Sequence, residues 1–298
     1  MSEPQPAAPS PSSQASTRHI RRKQLDIAYA SVSPAQKLDI YWPAEGSGPF
    51  PVILSIHGGA FMFGDKRDTQ LNPMLAGLER GYAVVSINYR MSGEAIFPAL
   101  VHDVKAAIRW LRANAAACLI DPQKIAAWGG SAGGYQALMA GVSTGIADLE
   151  DLSLGNPQQA AHVLAVVDWF GPTNFLKMDE QLTASGLQPQ PGGEHSGPDS
   201  PESRLLGRQI TLVPELVQAA NPETYIRPGA PPTLIQHGTC DGTVPYQQSA
   251  NMAEKLVRVL GGEKVQLNLL EGAGHGGPAF VTPENLEVVF SFLFRNLK

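Results

Sequence analysis

KIAAWGGSAGG, residues 124–134, is the stretch whose reading decides the fold. Residues 124–128 form a short apolar run of strand character, and residues 132–142 read as a helix of small side chains. Ser131 sits on the hinge between them. Gly129, Ser131 and Gly133 fit the pattern G-x-S-x-G, and the strand before and helix after are the context that pattern requires. A sharp strand–turn–helix projects a serine hydroxyl at the C-terminal edge of a sheet. The serine's backbone is strained there, so the residues two positions away on either side must be small. Glycine-rich turns also cradle phosphates or merely reverse the chain. The flanking elements favour a nucleophile.

Outward from this turn, apolar runs alternate with helical patterns. Residues 38–41, 51–57 (PVILSIH), 82–89 (YAVVSINY), 162–170 (HVLAVVDWF), 233–237 and 265–270 read as strands. Residues 71–79, 97–117, 245–260 and 283–297 read as helices, with Val101, Val104, Ile108 and Leu111 on one face of the second. This alternation predicts an α/β fold, a mostly parallel sheet flanked by helices on both faces. The rhythm breaks between residues 170 and 233, where no strand is legible. Its centre, SGLQPQPGGEHSGPDSP (185–201), holds eight Gly or Pro in 17 residues, and 212–220 offers one short helix. Residues 171–230 are therefore expected to form a lid or substrate-binding insertion over the strand ends.

The whole chain of 298 residues is 43 % apolar and 16 % charged, which excludes a mostly disordered protein. No run approaches the roughly 20 apolar residues of a membrane span. Acids outnumber bases 27 to 22 and no basic cluster exists beyond residues 21–23, so nucleic acid is not an expected partner. Cys118 and Cys240 are the only cysteines and lack metal-ligand spacing, so neither a disulfide framework nor a zinc site is expected. Residues 1–23 are rich in Pro, Ser and Ala and are expected to be a flexible tail, leaving 24–298 as one α/β domain. That tail lacks the apolar core of a secretory signal, and a cytoplasmic location is the expectation. Self-association into a homodimer stays open.

Serine needs a base. His275 lies in a glycine-rich loop (EGAGHGG, 271–277) after a strand, where an imidazole can swing over the sheet edge. His237, at a strand end, is a rival. The base in turn needs a carboxylate to fix its tautomer, and Asp241 in HGTCDGTVPYQQS (237–249) follows the adjacent strand. Asp168 is the rival acid, better placed to support the loop that starts at Gly171. The order Ser131, Asp241, His275 is that of an α/β-hydrolase. HGGAF (57–61) follows another strand. Acyl transfer builds charge on a carbonyl oxygen, and backbone N–H groups of Gly59, Ala60 and Ala132 are candidate oxyanion donors. Gly58 shapes the turn and His57 anchors it. Gly58, Phe61 and Trp169 are candidate substrate contacts, with Met62, Phe175 and Phe280 as further apolar candidates. Core packing would explain each apolar one equally well.

With these pieces together, the chain resembles the α/β-hydrolase superfamily, and within it the esterases related to hormone-sensitive lipase. The closer likeness is to bacterial bifunctional feruloyl and acetyl xylan esterase-type domains. It runs from about Asp39 to the C-terminus and rests on HGGAFMFGDK (57–66), INYRMSGEAIFPALVHDVKAAIRWLRANA (87–115), IDPQKIAAWGGSAGG (120–134), DSPESRLLG (199–207), HGTCDGTVPYQQS (237–249) and GAGHG (272–276). The resemblance implies a serine carboxylesterase acting on small-molecule esters through an acyl-enzyme, with Ser131, Asp241 and His275 as its triad and no metal or cofactor. Many relatives of hormone-sensitive lipase carry three glycines after the histidine, where this chain has Ala60. The N–H survives, and the methyl narrows the pocket floor. The long N-terminal helical cap of many such lipases is not expected. The same residues would also serve an amidase or aryl formamidase. A catalytically silent ligand-binding α/β-hydrolase is a third possibility, though such proteins usually lack a triad member.

Overall fold

Among the described residues the apolar runs pair into a single sheet of eight strands: β1 (Lys23–Ala28), β2 (Lys37–Tyr41), β3 (Phe50–Ile56), β4 (Ala83–Ile87), β5 (Ile120–Gly130), β6 (Ala165–Trp169), β7 (Thr233–Gly238) and β8 (Val265–Leu270). Their spatial order is β1-β2-β4-β3-β5-β6-β7-β8 in the computed structural model, which describes residues 14–190 and 193–298. β2 runs antiparallel to both β1 and β4. The remaining neighbours are parallel. Every residue of β4, β6 and β7 is buried, as strands covered on both faces must be.

Helices α1 (Asn72–Leu75), α2 (Ala99–Ala113), α3 (Ala132–Val142), α4 (Met178–Ser185), α5 (Pro201–Leu206), α6 (Pro214–Ala220), α7 (Gln247–Leu260) and α8 (Pro283–Leu297) complete the chain. Two apolar cores result. One packs Val104 and Ile108 of α2, Leu138 of α3 and Leu256 of α7 against Leu54 and Ala127 of the sheet. The other packs Met74 of α1 and Phe290 and Leu293 of α8 against Ile53, Trp128 and Val167. Successive side chains of one strand, such as Ile53 and Leu54, thus enter opposite cores.

Three features depart from the sequence reading. The segment assigned to a tail lies partly outside the described residues, but from Gln14 onward it follows the body. Ala15 N–H donates to Arg67 O at 2.7 Å, Ile20 is buried, and β1 begins at Lys23. Composition missed β1 because an antiparallel edge strand buries little and keeps its charges. The helix expected at 71–79 reduces to α1 and flanking 3₁₀ turns, since Pro73 starts it and Gly81 ends the stretch in a left-handed conformation. Residues 143–164 form a long connection pinned by buried cations of α2. Lys105 Nζ donates to Ser143 O, Arg109 to Asp151 O and Gly155 O, and Arg112 to Ala160 O and His162 O. Burial pushes Lys105 down to about 8 and Arg112 to about 10.

The described residues of the interval 171–230 carry no strand and fold into α4, α5, α6 and short 3₁₀ turns. No helix among the described residues is long and apolar enough to cross a membrane.

Candidate active site

β5 ends at Gly130 and α3 starts at Ala132, so Ser131 makes the turn by itself, at φ 56° and ψ −125°. A non-glycine residue pays about 1–3 kcal/mol for such a backbone, and packing must hold it there. A Cβ on Gly133 would lie 2.0 Å from Ile56 O, and one on Gly129 2.3 Å from the Gly133 carbonyl group. The two flanking glycines therefore let β3, β5 and α3 close around the serine. Ser131 N–H donates to Trp169 O at 2.8 Å, which fixes the turn to β6.

β7 and β8 deliver the other two polar groups to the same edge. His275 Nε2 lies 2.9 Å from Ser131 Oγ, and its Nδ1 lies 2.7 Å from Asp241 Oδ2. A carboxylate on Nδ1 sets the tautomer: Nδ1–H donates to Asp241, and Nε2 is left to accept from the serine hydroxyl. Asp241 is fully buried. Its Oδ1 accepts from the N–H groups of Thr243 and Val244 at 2.8 and 2.9 Å. Burial by itself would raise this carboxyl, but hydrogen bonds from His237 and His275 outweigh it and hold Asp241 well below the ordinary carboxylate range.

Neither rival hydrogen-bonds Ser131 or His275 among the described residues. His237 Nε2 is 3.1 Å from Asp241 Oδ2 and 2.8 Å from Val244 O, and its Nδ1 meets Ser249 Oγ at 2.6 Å. With both ring nitrogens occupied in the core, it orients the acid and makes no hydrogen bond to Ser131 among the described residues. Asp168 Oδ1 accepts from Gly171 N–H at 2.9 Å, supporting that loop, while its Oδ2 has no partner among the described residues. Burial pushes its carboxyl up to about 7.

Facing the serine is the turn after β3. Gly59, Ala60 and Phe61 take positive φ values of 125°, 52° and 63° in succession. The N–H groups of Gly59, Ala60 and Ala132 donate no hydrogen bond among the described residues. Ala132 is also the first residue of α3, where the helix dipole favours negative charge. His57 anchors the turn from below. Its Nδ1–H donates to Gly58 O at 2.8 Å, its ring stacks on Tyr89 at 4.5 Å, and Tyr89 OH donates to His57 O. Burial lowers its pKa and keeps the imidazole neutral. At the far end, Lys66 and Arg67 pair with Asp26 and Asp39 of the β1–β2 edge.

A cavity of about 610 Å³ opens over Ser131, His275, Gly59, Ala60 and Ala132. Phe61, Trp169 and Phe280, three of the candidate substrate contacts, line it. Three expected contacts do not. Gly58 N–H is taken by Gln70 Oε1 at 2.9 Å, and a Cβ there would strike Gly130 O, so Gly58 packs beneath the elbow. Phe175 is fully buried between Phe61 and Tyr135. Met62 borders a separate groove with Ser92 and Ile96. Sequence reasoning missed Phe170, whose ring centre lies 4.7 Å from that of His275 and which borders the cavity. It also missed Gln70, His195 and Glu202, all on the cavity wall. Only DSPESRLLG hinted at the last.

The BD-FAE family model matches residues 38–256. The chain is 30 % identical over 242 residues to a probable carboxylic ester hydrolase, LipM, of Mycobacterium tuberculosis, an alignment covering 78 % of this chain and 52 % of that relative. It thus spans about half that relative's length. Among solved structures, a bifunctional GH43-CE protein of Bacteroides eggerthii superposes with a TM-score of 0.83 at 33 % identity, over 93 % of this chain and 35 % of that one. A truncated carbohydrate esterase from gut microbiota gives a TM-score of 0.83 at 32 % identity, over 95 % and 99 % of the two chains.

Proposed function

Because the chain belongs to the BD-FAE family and has the α/β-hydrolase fold, we propose that it is a serine carboxylesterase acting on small-molecule esters. One observation carries the reading: Ser131, His275 and Asp241 form an unbroken hydrogen-bonded series at the mouth of a cavity. Ser131 Oγ attacks the ester carbonyl carbon while His275 Nε2 takes its proton. The carbonyl oxygen, now anionic, sits among the N–H groups of Gly59, Ala60 and Ala132. Asp241 stabilises the imidazolium that forms. The tetrahedral species collapses, and His275 passes its proton to the departing alcohol oxygen, leaving an acyl-serine. Water then attacks, giving its proton to the same nitrogen, and the carboxylic acid leaves as Ser131 recovers its proton. Residues 171–230 act as the insertion that walls the cavity. The relatives named as esterases support the reaction class.

Ser131→Ala tests this on p-nitrophenyl acetate. A loss of kcat of about 10⁴-fold or more is expected. Turnover within tenfold of the unaltered protein would defeat the assignment.

A further inference from the structure

The cavity wall also holds a histidine–glutamate pair that the proposed chemistry leaves unused. His195 and Glu202 come from the insertion, seven residues apart, and both border the cavity. Their side chains are 2 % and 4 % exposed, and His195 Nδ1 lies 3.0 Å from Glu202 Oε2. The contact lies off the ring N–H direction, so neither atom has an aligned hydrogen-bond partner among the described residues. His195 Nε2–H donates to Thr243 O at 2.9 Å. Both ring nitrogens thus face acceptors. Burial opposes a charged imidazole, but the Glu202 carboxylate and the Thr243 carbonyl outweigh it and raise His195 above its ordinary value. Glu202 Oε1 accepts no hydrogen bond among the described residues either, but unlike Oε2 it is not fully buried. A carboxylate this buried, with unfilled acceptor capacity, is costly unless something completes it.

Resting on the esterase reading, we propose that Glu202 is a specificity residue, accepting a hydrogen bond from a hydroxyl on the alcohol portion of the ester. The alcohol side follows from position. His275 protonates the departing oxygen, so the alcohol leaves beside the imidazole. Thr243 and Val244, whose N–H groups hold Asp241 behind that imidazole, border the cavity there, and His195 is tied to Thr243. The hydroxyl follows from charge. A lone buried carboxylate would select a cation, whereas the His195 ring already faces one Glu202 oxygen at 3.0 Å, occupies the place a cation would take and leaves an acceptor for a neutral donor. A site that hydrogen-bonds a substrate hydroxyl discriminates strongly against the analogue lacking it.

The test compares kcat/KM for glycerol 1-acetate and n-propyl acetate, which share an acyl group and differ in hydroxyls. The readout is their ratio, in which any general loss of activity cancels. Glu202→Ala is expected to lower the ratio tenfold or more. Glu202→Gln keeps the volume and one acceptor but not the charge, and should lower it about threefold to fivefold. Should the alanine variant fail to fold, the glutamine ratio decides. A ratio within twofold of the unaltered protein in either folded variant overturns the inference, including when both esters are lost equally. If the unaltered protein hydrolyses p-nitrophenyl acetate while the ratio stays put, only the inference falls. If it hydrolyses none of the three esters, the esterase reading falls and takes the inference with it.

Discussion

Asp168 shows how a single buried group shapes stability without joining the proposed chemistry. Its carboxyl is fully buried with one hydrogen bond, and its pKa is pushed up to about 7 by burial. Between about pH 4 and pH 7 the folded protein holds a proton there that the unfolded chain has released. The protonated form's contribution is therefore whole below about pH 4 and is lost as pH rises through about 7. Asp168→Asn keeps the acceptor for Gly171 and removes the titration. We expect it to raise Tm by several degrees at pH 8 and to change it little at pH 4. Equal shifts at both pH values would contradict this. Residues such as Ser131, Asp241 and His275 were legible in the sequence because the chemistry proposed for them demands particular neighbours, above all small ones. Phe170 was not, since an aromatic at a strand end looks like core, and only the fold turns its ring toward His275. Nor was the His195–Glu202 pair, whose partners meet across a Gly- and Pro-rich stretch with no periodicity to read.

The element on which the site depends is the strand–turn–helix at Ser131. Its geometry is sustained by backbones packed closer than any Cβ permits: Gly133 against Ile56 O, and Gly129 against Gly133. Gly133→Ala should destabilise the protein by about 3 kcal/mol or more and abolish ester turnover, because either the helix or β3 must shift. Gly93→Ala is the matched control. Nothing lies within 4 Å of its added Cβ, and it should leave both melting and turnover close to those of the unaltered protein. Thermal melts with a p-nitrophenyl acetate assay check both, and similar behaviour of the two variants would be inconsistent with the packing argument. The strand bearing Gly129 was readable since buried parallel strands are nearly continuous apolar runs. β1 was not, because it lies at the sheet's edge with little to bury. The connection over 143–164 was equally opaque: its order comes from Lys105, Arg109 and Arg112 of α2, which a helical pattern presents merely as polar positions.

Across the whole molecule, the site is assembled where separate parts meet. The edge hairpin holds the end of the β3 turn through Lys66 and Arg67. The insertion is tied to the loop of Asp241 by Gln190 N–H to Gly242 O and by His195 to Thr243 O, both at 2.9 Å. It is tied to α7 by Thr173 and Asn174 N–H groups on Gln248 Oε1. The order of Ser131, Asp241 and His275 along the chain was visible in the sequence because topology sends three strand ends to one edge, whereas these ties depend on side-chain packing that no motif encodes. The central claim is that His275 and Asp241 make one serine hydroxyl, at 131, the nucleophile. The most direct measurement is reaction with a fluorophosphonate followed by mass spectrometry of the digested protein. One adduct per chain on Ser131 is predicted, absent from Ser131→Ala and formed far more slowly by His275→Ala. An adduct on any other residue, or labelling of Ser131 at an unchanged rate without His275, would contradict it.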